Sequence, residues 1–323
     1  MGKNNVSYLI TGGCGFIGSY VVRDLLEEGA KVAIYDFKID QGIVNQVVDE
    51  KRLKDVIFIQ GEVTDFIHLI SILKAHKVSK IIHLASPLTY TVQENPPLGV
   101  DMMCKGTLNI LEAAKILEVE KVVWASSMAV FGPPERYPKG KIKNDAPHWP
   151  ESLYGACKSM SEYLATHYAD KFGVDSIGLR FTLVYGPGKF GTAKGAFATE
   201  IIRRAALGEP YEVPFSDETT DWQYVEDISR LTVAASKVKR TKTRAFNTQG
   251  DLRPVKEVID YIRSFIPELK FTLKPGPFGM PMDYDTTPLE KEIGFKPKYS
   301  MEEGVLKALN IFRRQAGLKE VKR

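Results

Sequence analysis

Short apolar runs alternate with amphipathic segments through the first 182 residues of the chain. The first run ends at Ile10, and the segment after it has apolar residues at helical spacing: Val21, Val22, Leu25 and Leu26. Apolar runs of this length predict buried strands, and the helical period predicts helices that pack on them. A strand–helix order kept over this distance predicts the α/β class, with a doubly wound parallel sheet and right-handed crossovers.

The predicted strands cover residues 6–10, 31–35, 56–60, 80–84, 121–125, 176–182 and 245–248. Helices are predicted before Gly29 and over residues 66–76, 98–117, 153–172, 196–207 and 227–237, with two more near the C-terminus. Thr64 or Asp65 is placed to cap the helix at 66, and Ser152 the helix at 153. The alternation stops after residue 182, and a loop is predicted over 208–220, so the second half should form a smaller unit beside the sheet.

A glycine-rich stretch, TGGCGFIG, joins the first strand to the first helix. Gly12, Gly15 and Gly18 lack the side chains that would keep a pyrophosphate from the backbone, and the helix N-terminus supplies free N–H groups to it. Asp36, after the second strand, can accept both hydroxyls of an adenosine ribose and would repel a 2′-phosphate. These features predict a dinucleotide site that prefers NAD to NADP, a preference that Lys38 would soften.

We therefore expect a Rossmann NAD-binding domain over residues 1–182 plus about 221–250. Residues 183–220 plus about 251–323 are expected to form a smaller α/β cap that binds the substrate.

Ligands of a parallel sheet bind beyond the carboxyl ends of its strands. Ala85 and Ser86 follow the strand at 80–84 and should border the cofactor, while Glu62 is placed to touch the adenine edge. The loop at 133–150, rich in proline, lysine and glycine, is expected to cover the site.

Charge and composition exclude several classes of function. The net charge of +4 is small and the basic residues are dispersed, which argues against a nucleic acid partner. Three cysteines without a Cys-x-x-Cys pair, and five histidines without ligand spacing, predict neither disulfides nor a metal site. No apolar run approaches the length of a membrane span, so we expect a soluble cytoplasmic protein that acts on a small molecule.

Tyr154 and Lys158 are spaced so that both lie on one face of the helix at 153–172. A nearby ammonium stabilises phenolate, so we expect the pKa of Tyr154 to fall toward working pH and its hydroxyl to exchange protons with an alcohol or ketone. Ser127, at the preceding strand end, would orient the substrate oxygen. Two further Tyr-x-x-x-Lys matches, at 137/141 and 185/189, lie in a loop and a turn, so neither pair occupies a regular helix face.

Taken together, these motifs resemble the extended short-chain dehydrogenase/reductase family, which includes NAD-dependent epimerases and dehydratases. The resemblance spans essentially the whole chain and rests on these segments: TGGCGFIG with Asp36, HLAS, GTLNILEAA, SSMAVFG, YGACK, LRFTLVYGPG, DWQYVED and DTTPLEKEIGFKP.

The resemblance implies a catalytic triad of Ser127, Tyr154 and Lys158. It implies that NAD is held by a larger set: Gly12, Gly15, Phe16, Ile17, Gly18, Asp36, Glu62, Val63, Leu84, Ala85, Ser86, Tyr154 and Lys158. Candidates for substrate contact are Thr89, Ser127, Thr182, Lys189 and Thr192. Members of the family often form homodimers through two helices per subunit, here those at 98–117 and 153–172.

Departures from the resembling enzymes narrow the reaction. Leu183 and Thr220 stand where sugar-nucleotide epimerases usually have an asparagine and an arginine, so two groups expected to hold a nucleoside diphosphate are absent. Met128 and Ala129 stand where sugar 4,6-dehydratases have an Asp-Glu pair, which argues against water elimination. Four other basic residues could compensate for the missing arginine: Lys189, Lys194, Arg203 and Arg204.

Three interpretations follow. The first is an NAD-dependent oxidoreductase that interconverts a secondary alcohol and a ketone on a small polar substrate other than a nucleotide sugar. The alternative is a nucleotide-sugar 4-epimerase with tightly bound NAD. The third is an NAD-binding protein without catalytic activity, which the presence of Ser127, Tyr154 and Lys158 disfavours because the fold alone would not require all three.

Overall fold

A computed structural model describes residues 7–191, 194–280 and 283–322 of the chain. Its strands, numbered in chain order, are β1 (Tyr8–Thr11), β2 (Val32–Asp36), β3 (Ile57–Gln60), β4 (Lys80–His83), β5 (Lys121–Ser127), β6 (Ser176–Phe181), β7 (Val184–Tyr185), β8 (Tyr211–Val213), β9 (Thr219–Tyr224), β10 (Ala245–Asn247), β11 (Asp251–Pro254) and β12 (Phe271–Leu273).

The α-helices, also in chain order, are α1 (Phe16–Glu27), α2 (Val44–Val47), α3 (Glu50–Leu53), α4 (Phe66–His76), α5 (Thr89–Glu94), α6 (Pro96–Val100), α7 (Gly106–Ile116), α8 (Leu153–Phe172), α9 (Phe197–Leu207), α10 (Val225–Ala235), α11 (Val255–Arg263), α12 (Thr287–Ile293) and α13 (Met301–Gln315). No described helix combines the length and the apolar character needed to cross a membrane.

Seven strands form one parallel sheet in the order β10-β6-β5-β4-β1-β2-β3. The chain runs outward from β1 to β3 and then returns to the other side of β1 with β4. In such sheets the ligand binds at this switch point, outside the carboxyl ends of the strands. The doubly wound α/β prediction is confirmed, and the strand β10 predicted at 245–248 belongs to this sheet.

Two predicted helices have the bounds that the sequence indicates, because both begin at a capping side chain. The Asp65 carboxylate accepts a hydrogen bond from the His68 N–H at 3.0 Å, at the start of α4. The Ser152 hydroxyl accepts one from the Gly155 N–H at 3.1 Å, at the start of α8. The alternative cap for α4, Thr64, instead donates to the exposed side chain of Glu62.

The helix predicted at 98–117 differs from the observed one in two respects. It begins earlier, with α6, whose first turn carries Pro96 and is capped by the Asn95 side chain. It then passes through a π-helical turn, Asp101–Lys105, before α7. That turn ends where Gly106 packs against Val63, so closely that a Cβ on Gly106 would lie 2.7 Å from Cγ2 of Val63.

The second half of the chain builds two small sheets, one of β11, β9 and β7 and one of β12 and β8. The loop predicted at 208–220 is therefore partly wrong, since it contains β8 and the first residues of β9. These strands are too short for an alternating pattern to reveal them. Three described helices, rather than two, follow β11. The division into an NAD-binding domain and a cap stays a prediction.

The loop at 133–150 is attached to the C-terminal part of the chain. The Ile142 N–H donates to the Asp283 carbonyl, and the Asp285 N–H donates to the Ile142 carbonyl, each at 2.9 Å. The Asn144 side chain adds two bonds of 2.8 Å, to the Ala245 carbonyl and from the Asn247 N–H. The loop is thus fastened to β10 and to the segment before α12.

Candidate active site

The glycine loop packs tightly against the end of β4. Gly12 has a φ of 71°, and a Cβ there would lie 2.7 Å from the Ala85 nitrogen. A Cβ on Gly18 would lie 2.2 Å from the Gly12 carbonyl oxygen. Gly15 is exposed and precedes α1, and no side chain among the described residues caps this helix. The first N–H groups of α1 therefore remain available to an anion.

Asp36 ends β2, beside this loop. One of its carboxylate oxygens accepts a hydrogen bond from the Cys14 N–H at 3.1 Å. Burial raises the pKa of Asp36, while hydrogen bonds from the backbone of Cys14, Lys38 and Phe37 oppose the rise. The Lys38 side chain is 71% exposed and lies 3.8 Å from Asp40.

The other residues predicted to hold the cofactor surround the same strand ends. Phe16 and Ile17 are half-buried in the first turn of α1. Val63 is buried and its carbonyl accepts from the Asn109 side chain at 2.9 Å, whereas Glu62 is exposed. The Leu84 N–H donates to the Thr11 carbonyl.

A bare glycine turn, an uncapped helix N-terminus and a carboxylate at the end of β2 fit a dinucleotide.

Three side chains predicted to act in catalysis lie together at the end of β5. Tyr154 forms hydrogen bonds with the side chains of Ser127 and Ser86. Lys158 donates from Nζ to the Ala125 carbonyl at 2.7 Å, and this nitrogen lies 5.5 Å from the centre of the Tyr154 ring. Ser127 also accepts a hydrogen bond from the Ala129 N–H at 3.1 Å.

The pKa of Tyr154 differs from the expectation drawn from the sequence. Burial raises the pKa of this phenol, and its hydrogen bonds with Ser127 and Ser86 only partly oppose the rise. Burial also lowers the pKa of the Lys158 ammonium, to about 8. The expected fall in the Tyr154 pKa is wrong for this structure, because removal of the phenol from solvent outweighs its hydrogen bonds with Ser127 and Ser86.

The predicted substrate contacts lie at different depths. Thr182 is half-buried beyond β6 and donates to Asp221. Lys189 donates from Nζ to the Val184 carbonyl at 2.7 Å, and burial lowers its pKa to about 8. Thr89 is exposed at the start of α5. Thr192 lies outside the described residues.

A family model, the NAD dependent epimerase/dehydratase family, matches residues 8–248. The chain belongs to this family. An uncharacterized protein of Methanocaldococcus jannaschii is 31% identical, over 94% of this chain and 95% of its own length. A UDP-glucuronate 4-epimerase of Thermodesulfobacterium geofontis is 29% identical, with the same two coverages of 94% and 95%.

Solved structures similar to this chain include both dehydrogenases and epimerases. L-Threonine dehydrogenase from Clostridium difficile superposes with a TM-score of 0.86 at 27% identity, over 98% of this chain and 100% of that one. UDP-glucose 4-epimerase of Thermus thermophilus, in complex with NAD, gives 0.79 at 25% identity, over 95% and 99%. The chain is an NAD-dependent oxidoreductase or epimerase of the extended short-chain dehydrogenase/reductase type, as the resemblance implies.

Of the four residues that depart from the resembling enzymes, three are buried and Ala129 is half-buried. Leu183 is 4% exposed, and Thr220 is fully buried with its hydroxyl unpaired within the described part of the chain. Met128 is 1% exposed and packs with Phe131 and other apolar side chains below the 133–150 loop. None of the three offers a cation or an acid to the cleft.

A cavity of about 780 Å³ lies beside the loop that contains Lys189. Four aromatic side chains line it: Phe190, Phe197, Tyr211 and Phe215. Its two arginines are both paired with acids, since Arg203 and Arg204 each lie within 3.2 Å of carboxylate oxygens of Glu200 and Glu209. Both arginines are therefore already paired with carboxylates.

A buried polar network below the site was not found from the sequence. The Glu162 carboxylate accepts from the Ser126 hydroxyl at 2.6 Å and from Arg180 at 2.7 and 2.9 Å. Arg180 also donates to the side chain of Asn247 at 2.8 Å. The sequence does contain one signal of this network. Arg180 is a charged residue inside the apolar strand β6, and a buried charge requires partners. The network joins β5, β6, α8 and β10 directly beneath Ser127.

Proposed function

We propose that this protein is an NAD-dependent dehydrogenase or reductase that interconverts a secondary alcohol and a ketone on a small polar substrate, not a nucleotide sugar. Tyr154 is the acid/base group, Ser127 orients the substrate oxygen, and Lys158 supplies positive charge. The bound cofactor would accept the hydride from the carbinol carbon. Glycines of the loop, with Asp36 and Ala85, would hold that cofactor.

In the oxidative direction Tyr154 takes the proton of the substrate hydroxyl, so it must first be a phenolate. The Lys158 ammonium, 5.5 Å from the ring, and the hydroxyls of Ser127 and Ser86 favour that anion. Burial opposes it, which places the oxidative reaction at alkaline pH and the reductive one at lower pH. The Ala125 carbonyl fixes the Lys158 ammonium in place.

The observation that carries the substrate class is the pairing of the cavity's arginines. A nucleoside diphosphate brings two negative charges, which require cations not already matched by carboxylates. Arg203 and Arg204 share Glu200 and Glu209, and Lys189 is bound to a backbone carbonyl. This supports a substrate without a diphosphate.

The second candidate is a nucleotide-sugar 4-epimerase. The four aromatic side chains of the 780 Å³ cavity favour it, since a base could stack on them. Several curated relatives are named UDP-glucuronate 4-epimerases, at 27 to 29% identity.

The test supplies the protein with NAD and two panels of substrates, small secondary alcohols and UDP-sugars. Net formation of NADH with an alcohol is the expected result. Formation of epimerised UDP-sugar without net NADH would instead support the second candidate. NAD binding with neither product would favour an NAD-binding protein without catalytic activity. Tyr154→Phe should lower turnover by at least about a hundredfold. Tyr163→Phe, on an exposed position of α8, is the matched control.

NAD rather than NADP is proposed as the cofactor. The Asp36 carboxylate lies at the end of β2, where it would repel the 2′-phosphate of NADP.

A homodimer is also proposed. It would bury large apolar side chains exposed on α7 and α8: Leu108, Ile116, Met160, Tyr163 and Phe172.

A further inference from the structure

Asp221 is a buried carboxylate close to the candidate active site. Its side chain is fully buried and receives two hydrogen bonds, one from the Thr182 hydroxyl and one of 2.8 Å from the Gly250 N–H. Among the described residues, no lysine, arginine or histidine lies within ion-pair distance of it. Buried carboxylates normally have a cationic partner, so its absence here suggests that a ligand bound nearby supplies the charge.

Thr182 connects this carboxylate to the catalytic end of the sheet. It follows Phe181, which is the β-sheet partner of Ser127. Neighbouring strands lie about 4.8 Å apart and successive residues of a strand about 3.3 Å apart, so the Cα atoms of Ser127 and Thr182 are roughly 6 Å apart across the two strands. The Thr182 N–H donates to the Gln223 side chain at 3.2 Å, which fixes its backbone. Thr182 itself is only half-buried.

The hydrogen bond to Asp221 determines what Thr182 can recognise. A threonine hydroxyl has one proton, and here that proton is donated to the carboxylate. Toward a ligand its oxygen can therefore only accept, which selects a hydrogen-bond donor. The carboxylate behind it favours a positively charged donor over a neutral one.

We propose that Thr182 and Asp221 form a recognition site for a substrate ammonium group on the carbon next to the reacting carbinol. The substrate class is a small vicinal amino alcohol. This proposal rests on the dehydrogenase function and specifies its substrate.

The surrounding charges agree with a cationic ligand. Burial raises the pKa of Asp221 to about 7, and the nearby carboxylates of Asp251 and Asp283 add to the rise. Their own cations are held at a distance from Asp221, since Arg253 pairs with Asp251 at 3.0 Å and Lys141 with Asp283 at 3.8 Å. An ammonium would relieve the repulsion among the three carboxylates.

The experiment compares substrates that differ only at the amino position. One pair is L-threonine and 3-hydroxybutyrate, and the other is 1-amino-2-propanol and 2-butanol. The ratio of kcat/KM between the members of each pair is measured by NADH formation, and their binding in the presence of NAD by calorimetry. The wild type should favour the amino member by at least about tenfold, the value of one charge-assisted hydrogen bond.

Two variants alter the site in different ways. Thr182→Val removes the acceptor with little change of shape and should reduce this ratio of kcat/KM at least about tenfold. In Asp221→Asn the new amide N–H donates to the Thr182 oxygen. The Thr182 hydroxyl proton then points toward the ligand, so the preference for the amino member should disappear. Thr232→Val is the control, because within the described part of the chain that buried hydroxyl bonds only to the Ile228 carbonyl of its own helix. Circular dichroism verifies that each variant is folded.

The two levels of the proposal fail differently. A wild type that oxidises alcohols with no preference for the amino member, or variants that leave the ratio unchanged, would overturn the recognition site and leave the dehydrogenase function standing. Preferential binding of the amino member without any NADH would overturn the dehydrogenase function and leave the recognition site standing. A wild type that neither binds nor oxidises the amino members preferentially contradicts the site.

Discussion

A Cβ atom on Gly12 would lie 2.7 Å from the backbone nitrogen of Ala85. Gly12→Ala must therefore separate the glycine loop from the end of β4 and adopt a φ that alanine disfavours. We expect the Kd for NAD to increase at least about tenfold, measured by fluorescence quenching, together with a lower urea midpoint.

Gly29→Ala is the matched control for this change. Gly29 also has a positive φ, 80°, but no atom of the described residues lies within 4 Å of its Cβ position. The Gly29→Ala variant should lose about 1 to 2 kcal/mol of unfolding free energy, because alanine disfavours this backbone conformation. Its affinity for NAD should be unchanged. Equal effects of the two substitutions on NAD affinity would show that the contact with Ala85 is unimportant.

Removing the Ser127 hydroxyl should move the pH dependence of catalysis. The hydrogen bond between Ser127 and Tyr154 lowers the pKa of the phenol, so its loss raises that pKa further. For Ser127→Ala we expect the rise of oxidative kcat/KM with pH to shift to higher pH, with a lower maximum. Ser71→Ala, exposed on α4, should retain the wild-type profile. A profile that shifts to lower pH would contradict the assignment.

The charge of Asp36 should control the choice of cofactor. Asp36→Asn retains an acceptor for the Cys14 N–H but loses the carboxylate, so KM for NAD should rise about tenfold or more and the preference over NADP should narrow. Steady-state kinetics with both cofactors measure the change. Asp55→Asn, the same change at an exposed carboxylate, serves as the control. An unchanged NAD/NADP ratio in Asp36→Asn would remove Asp36 from cofactor selection.

The stability of the fold should depend on pH through Asp221. Its pKa in the folded protein is raised from 3.8 to about 7, so between these values the folded chain holds a proton that the unfolded chain has lost. This contribution to stability is present at low pH and is lost as pH rises through about 7. Asp221→Asn cannot ionise, so its urea midpoint relative to the wild type should be higher at pH 8 than at pH 5, both chosen to bracket that pKa. A pH-independent difference would mean that Asp221 does not titrate in this way.

Charged substitutions on α8 should prevent self-association. Tyr163 is 68% exposed and Met160 is 47% exposed on the same helix. In the double variant Met160→Glu with Tyr163→Glu, like charges would meet across the proposed dimer contact, so sedimentation should show a monomer where the wild type is a dimer. Ile67→Glu, an equally exposed apolar position on α4, is the control. A wild type that sediments as a monomer at all concentrations would refute the homodimer.

Much of the fold follows from local signals, whereas parts of the site do not. Helices α4 and α8 could be predicted to the residue because Asp65 and Ser152 mark their first turns. The π-helical turn before Gly106 could not, since the contact with Val63 that accompanies it joins segments far apart in the chain.

The same distinction applies to chemistry. The spacing of Tyr154 and Lys158 indicates a shared helix face, but not the burial that raises the phenol's pKa. Nothing local to Asp221 reveals that its partner is Thr182, 39 residues away.

The attachment of Ile142 to Asp283 and Asp285 has a consequence for relatives of this protein. The family model ends at residue 248, yet the loop that follows Ser127 is fastened by residues beyond that point. Two members of the family could therefore have similar sequences throughout the matched region and still differ in the shape of the cleft. Exchange of the C-terminal segment alone, between a dehydrogenase and an epimerase, would then be a route by which substrate choice changes without alteration of the catalytic residues.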